Sequence, residues 1–370
     1  MFVALNDLRF AKGRFVLMGA VVLLITLLVT MLSGLTAGLA QENISAIEGL
    51  PADRIVFSRT DKPSFSDSRI TEKTWQEWQK VAGVSAAERL GITMGRLAFG
   101  DDSAGTAAAV LGVEPGGALA KKAGGTVDTG KVVLSAALAS GTGLAAGDEV
   151  QISGRDFTVA GIGGKASYSH TPVAWIAIGD WEWMGGRQSG AGQSGAGQST
   201  ADTVATVLAL RTAGDPDLAP ADEKLHTTTV PMSDAPAAIG SFSAENGSLQ
   251  LMRGFLFVIS ALVIGAFFTV WTIQRRGDVA VLKALGASTG YLLRDALAQA
   301  VIVLLLGAGI GGAIGAGLGA LAEGTVPFVL SLATTLAPVA VMIALGALGA
   351  ALAIRKITSV DPLTALGASR

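Results

Sequence analysis

Three stretches of this chain carry almost no charge, and they fix the kind of solvent in which it folds. Phe15 to Ala40 runs 26 residues without a charged side chain, and Gly254 to Ile273 runs 20. Between Ala296 and Ile354 the only charge is Glu323. A helix crossing the hydrocarbon core of about 30 Å needs roughly 20 apolar residues. The first two stretches therefore hold one crossing each. The third holds two, with a turn at Glu323-Gly324-Thr325-Val326-Pro327. Charged residues make up 15% of the 370-residue chain, against roughly a quarter in soluble domains.

The basic residues gather at the ends of these stretches. Arg9, Lys12 and Arg14 precede the first, Arg275, Arg276, Lys283 and Arg294 lie between the second and third, and Arg355 and Lys356 follow the fourth. Lysine and arginine mark the cytoplasmic side of short loops. Both termini are thus expected in the cytoplasm, with residues 41–249 outside. A cleaved signal peptide would explain the N-terminus differently, and Gly38-Leu39-Ala40 resembles a cleavage site. Its apolar core, however, spans only about 7–15 residues, far fewer than here.

The expected fold is membrane α-helical, with four transmembrane helices and a mixed α/β extracytoplasmic domain inserted between the first and second. Residues 1–40 form the N-terminal segment and first span, 41–249 the outer domain, and 250–370 the rest. Within that last part the second span covers about 250–273, a cytoplasmic segment 277–289, the third span 294–321 and the fourth 327–354.

In the outer segment, Thr71–Val84 has Trp75 and Trp78 on one helical face, and strand-like runs follow at 106–113, 131–138 and 173–178. Asp148–Ile152 and Asp156–Ala160 flank Ser153-Gly154-Arg155 as a hairpin. A tandem Ser-Gly-Ala-Gly-Gln repeat at 189–198 is too polar and small to bury surface, and 213–236 reads as a surface connection.

Catalytic chemistry is hard to find. With no cysteine there is neither disulfide nor thiol, and the two histidines, His170 and His226, lack metal-ligand spacing and read as surface polar residues. Gly125-Thr126-Val127-Asp128-Thr129-Gly130-Lys131 has the spacing of a phosphate loop, but Val132 stands where a Ser or Thr would hold magnesium. No basic block suggests nucleic acid. The chain is expected to be no enzyme and to hold no intrinsic cofactor.

The segment Gln274-Arg275-Arg276-Gly277-Asp278-Val279-Ala280-Val281-Leu282-Lys283-Ala284-Leu285-Gly286-Ala287-Ser288 resembles the FtsX/MacB-type permeases of ABC transporters. The tail Asp361-Pro362-Leu363-Thr364-Ala365-Leu366 is similar to the tail of that family, and the hairpin 147–162 to its outer domain. The resemblance implies a coupling helix docking on a separate ATPase, which binds the ATP. Val281, Leu282 and Leu285 would form its apolar face, with Lys283 at the rim and Gly286 at its end. An exposed apolar patch of this kind requires a partner or lipid to cover it.

Gly307, Gly311, Gly315 and Gly319 line one face of the third span, with the fourth span as the expected partner, and Gly34 and Gly38 do the same on a smaller scale in the first. In length and layout the chain also resembles haem-exporting permeases of the HrtB type, which implies a permease homodimer taking haem from membrane lipid. Haem iron accepts methionine. Met31, one turn before Gly34, and Met252 are the candidate ligands, and Arg253 the candidate propionate partner. Two alternatives stand beside haem export. One is an FtsX-like signalling protein acting on an outer partner, the other an exporter of peptide, antibiotic or lipoprotein.

Overall fold

The computed structural model describes residues 12–100, 102–185, 203–274, 277, 281, 286–322 and 325–358. Among these, four helices are long and apolar enough to cross a membrane, at Phe15–Glu48, Gly240–Gln274, Arg294–Ala322 and Leu332–Leu352. The chain divides into two compact units, one of Met1–Gly38 and Ser248–Arg370, the other of Leu39–Gly247.

In the membrane unit, helices α1 (Lys12–Glu48), α7 (Gly240–Gln274), α8 (Thr289–Ala322) and α9 (Leu332–Thr358) supply the spans. The glycine stripe of α8 meets α1, not α9 as the sequence suggested. A β-carbon at Gly311 would lie 2.4 Å from the Leu23 carbonyl oxygen, at Gly307 2.9 Å from that of Gly19, and at Gly315 3.1 Å from Thr30. The α9 helix packs on another face of α8, with Val339 over Gly312, while Gly346 of α9 receives Leu304. A glycine stripe shows that a backbone approaches closely but not whose it is.

Gly34, Gly38 and Gly319 are filled by the connection before α9. A β-carbon at Gly34 or Gly319 would strike the Phe328 ring, and one at Gly38 the Pro327 carbonyl. The Val329 N–H donates to the Gly34 carbonyl at 3.1 Å. This connection is also longer than the expected turn, so α9 starts at Leu332 instead of 327.

Thr26, Thr30 and Ser33 are buried on α1, and their hydroxyls have no hydrogen-bond partner among the described residues. Replacing an unpaired buried hydroxyl by a methyl removes a desolvation penalty of about 1 kcal/mol. Thr30→Val is therefore expected to leave the thermal midpoint of the detergent-solubilised protein unchanged or to raise it.

The outer unit is built on one large sheet. Its strands are β1 (Arg54–Ser58), β3 (Val84–Phe99), β4 (Asp102–Val113), β5 (Lys131–Leu134), β6 (Glu149–Ile152), β7 (Arg155–Ile162), β8 (Ser167–Tyr168), β9 (Thr171–Ala177), β11 (Val207–Thr212) and β12 (Thr227–Pro231), and β2 (Ile70–Thr71) pairs separately with β10 (Thr203–Ala205). The order is β12-β1-β11-β3-β4-β9-β5-β7-β6, with β8 on β9. The sheet closes on itself, because Leu97 and Ala98 of β3 also pair with Ile152 and Gln151 of β6. Leu97, Val110, Val132, Ile152, Phe157 and Ile176 of the closed part share one buried cluster.

Several short helices decorate the sheet, and they revise the sequence expectations. The helix at 71–84 is only α2 (Glu72–Trp78), capped by the Thr71 hydroxyl, and Val84 already begins β3. The strand at 131–138 ends at Leu134, where Ser135 caps α4 (Ala136–Thr142). The supposed connection at 213–236 contains α6 (Ala219–Leu225) and β12, which pairs with β1. Asp222 organises this turn, accepting from Thr227 Oγ1 at 2.7 Å and Thr229 N at 3.0 Å. The repeat at 189–198 lies outside the described residues.

The outer core also takes in the end of α1. Ala46 and Ile47 are fully buried there, which is why the helix runs past Ala40 to Glu48. The α7 helix likewise starts at Gly240, before the expected 250.

Candidate functional site

The α7 helix divides into two halves. Its inner half is packed on one face, with Ile264 and Phe268 almost fully buried and Trp271 edge-on to both Phe15 and Phe268 at 6.1 Å. In its outer half Leu251, Met252, Phe255, Val258, Ile259 and Leu262 are all more than half exposed, and only Ser260 is buried. Met252, Phe255, Ile259, Leu262, Ala266, Thr269 and Ile273 form an exposed seam with alternating three- and four-residue steps. Such 3.5-residue periodicity is the spacing of helices that pair lengthwise.

Met252 is 53% exposed, and the Arg253 guanidinium lies 5.9 Å from the Phe257 ring centroid. Met31 is half-buried on α1, in line with the exposed Leu24 and Leu28. Gly34, taken as its same-face neighbour, is covered by Phe328 and lines no open surface.

In the proposed coupling segment, Leu282, Lys283 and Leu285 lie outside the described residues. Val281 is helical and exposed, and Gly286 takes φ 94°, a left-handed value that ends the segment before α8.

The phosphate-loop mimic is a structural turn. It leads into strand β5 instead of a helix, and the Gly130 N–H donates to the buried carboxylate of Asp180 at 2.8 Å. Arg155 pairs with the other Asp180 oxygen at 2.9 Å. The amide that would have cradled phosphate already faces an anion.

His226 takes φ 52° and its amide caps α6. His170 is not a simple surface residue. Its Nε2 lies 2.8 Å from Glu245 Oε2 and 3.0 Å from Asn43 Nδ2. These partners come from distant parts of the chain, so no local motif announces the cluster. No group of three His, Cys, Asp or Glu arranged to hold a metal occurs among the described residues.

The order of elements, a long first span leading into a β-rich outer domain and then three more helices, is what the family comparisons match. The family model for the MacB-like periplasmic core domain matches residues 15–227, and that for the FtsX-like permease C-terminal region matches 251–362. The chain belongs to the MacB/FtsX family of ABC permeases. Two relatives of this permease, bearing the name of a hemin transport system permease protein, HrtB, align almost end to end. That of Staphylococcus haemolyticus is 26% identical over 372 residues, and that of Staphylococcus epidermidis 24% over 369, with 99% of both chains covered in each case. The periplasmic region of MacB from Actinobacillus actinomycetemcomitans is 12% identical, covering 52% of this chain and 94% of that one at a TM-score of 0.33. As an ABC permease, the chain has an ATPase as its partner.

Proposed function

We propose that this chain is the permease of an ABC exporter that takes haem from the membrane, working as a homodimer with a cytoplasmic ATPase. The observation that carries the cargo is the unpacked outer half of α7, where an apolar surface is headed by Met252 and Arg253. Haem is flat, amphipathic and membrane-soluble, so a surface facing lipid on one side and water at its end suits it. Met31 and Met252 are the iron ligands of this proposal, and Arg253 the partner of a propionate. The end-to-end similarity to two proteins named for hemin transport supports the same cargo.

The rest of the exposed seam of α7, at Ala266, Thr269 and Ile273, is the surface on which a second copy pairs. The basic residues flanking the spans put both termini in the cytoplasm, beside the ATPase. Val281, Leu282, Lys283, Leu285 and Gly286 form the segment that receives its motion. Closing the ATPases changes the relative energy of two helix arrangements, and cargo leaves in the second.

Haem titration of the purified complex, followed in the Soret band, tests the cargo. Met31→Leu and Met252→Leu are each expected to shift the Soret maximum and weaken haem about tenfold, equivalent to about 1.4 kcal/mol. Arg253→Ala is expected to weaken haem without moving the maximum. Unchanged spectra and affinities in all three would remove these residues from the site, and a wild-type complex without a Soret response would remove haem itself.

A further inference from the structure

The turn between β8 and β9 consists of Ser169 and His170, both with left-handed φ, 51° and 61°. Neither is glycine, and such backbone persists only where its surroundings hold it. Here two long helices hold it. The Ser169 and His170 amides donate to the carbonyls of Asn43 and Glu42 on α1, at 2.9 and 3.2 Å. Ser241 and Glu245 reach the same turn from the first turns of α7.

The side chains complete a closed circuit. Ser241 Oγ donates to Asn43 Oδ1 at 2.7 Å, and Ser169 Oγ lies 2.8 Å from Ser241 Oγ. Asn43 Nδ2 donates to Glu245 Oε2 at 3.4 Å. That oxygen also lies 2.8 Å from His170 Nε2, which stands 3.0 Å from Asn43 Nδ2. His170 Nδ1 stands 4.0 Å from Glu42 Oε2, so the imidazole lies between carboxylates of both helices. Asn43, at the centre, is 1% exposed. Just beyond, Ser45 Oγ accepts from Ser167 N at 2.9 Å.

We propose that Asn43, Ser169, His170, Ser241 and Glu245 form a permanent joint through which movement of α1 and α7 is passed to the outer sheet, with His170 as its positioning residue. Resting on the permease function proposed above, this assigns a coupling role to residues outside the cargo site. Both helices run unbroken out of the membrane unit, α1 to Glu48 and α7 from Gly240. A joint, not a latch, follows from burial. Opening it would expose Asn43 and pull Ala46 and Ile47, both at 0% exposure, away from the outer core.

The chain has no cysteine, so the paired variant Ser169→Cys/Ser241→Cys makes a unique disulfide at the joint. The full complex with its ATPase, in lipid nanodiscs, is followed by hydrogen exchange in 167–177 with and without ATP, and by basal ATP hydrolysis. His170→Ala is expected to keep hydrolysis within about twofold while the ATP-driven exchange difference falls to under a quarter. Oxidising the cysteine pair in the His170→Ala background restores the difference, and reduction removes it again. In the His170 background the oxidised pair cycles normally. If alanine at a left-handed position unfolds the domain, His170→Asn, which tolerates this φ and lacks the reach of imidazole, takes its place. The joint is overturned by a full exchange difference in the His170 variant, by failure of the disulfide to restore it, or by arrest of the oxidised wild-type background. Exchange needs no cargo, so a complex that ignores haem yet shows the ATP-driven difference sinks only the cargo.

Discussion

Leucine in place of Gly311 is expected to abolish the folded membrane unit. A β-carbon there would lie 2.4 Å from the Leu23 carbonyl oxygen and 3.1 Å from its carbonyl carbon, both in the backbone of α1. Backbone inside a transmembrane helix cannot step aside without breaking its own ladder, and lipid offers no water to replace those bonds. Overpacking of a core costs about 1–3 kcal/mol when side chains can yield, and more when they cannot. Even Gly311→Ala should therefore lower the thermal midpoint of the solubilised protein clearly. Gly309 and Gly317 lie on the same helix with nothing within 4 Å of an added β-carbon, so alanine at either is expected to be harmless. Similar losses at 309, 311 and 317 would show that the close approach of α1 and α8 is not what the stripe is for.

The second large effect lies in the outer domain, where the buried Trp181 ring covers two glycines on neighbouring strands. A β-carbon would fall 2.3 Å from the ring at Gly91 and 2.8 Å from Cγ at Gly112. Trp181→Ala is expected to cost about 3–5 kcal/mol through lost burial and the cavity left behind. Gly91→Ala alone is expected to cost about 1–3 kcal/mol because the ring must move. Combined, the two should cost less than their sum, since the methyl then enters space the ring has left. A double-mutant cycle on thermal or denaturant unfolding measures this coupling. Strict additivity would mean that the ring does not press on Gly91.

The membrane half was legible because its signal is a count. Twenty apolar residues in a row leave little room for another fold, and all four spans were visible in this way. Helix ends were less so. Bilayer thickness alone stops α1 near Ala40, whereas the helix continues because Ala46 and Ile47 have an apolar core to enter. The stripe on α8 was visible as a stripe, but its neighbour was not, since Gly312 gives the same helix a second close-packing face.

In the outer domain, the hairpin around Ser153-Gly154 was readable from its turn, where φ values of 51° and 84° suit a two-residue connection. The long strand β3 was not. Its sequence, Val84–Phe99, mixes alanine, glycine, glutamate and arginine, and its burial follows no clean alternation because different stretches pair with β11, β4 and β6. The His170 cluster was illegible for a related reason, as residues near 43, 170 and 245 meet only once the sheet exists. The candidate cargo residues were chosen by type and depth, and residue type could not tell that Met252 is exposed on α7 while Met31 is half-buried on α1.

The position of β1 in the sheet also bears on how the protein is made. This strand sits between β11 and β12, pairing Arg54 with Leu210 on one side and with Pro231 on the other. Both partners leave the ribosome long after β1. At roughly 5–20 residues per second, β1 waits on the order of ten seconds for the chain that will flank it. During that interval its edges, with the fully buried Ile55, Val56 and Phe57, are open to any passing strand. Translation speed through residues 60–230 and the chaperones on the far side of the membrane should therefore limit the yield of this permease more than insertion of its helices does.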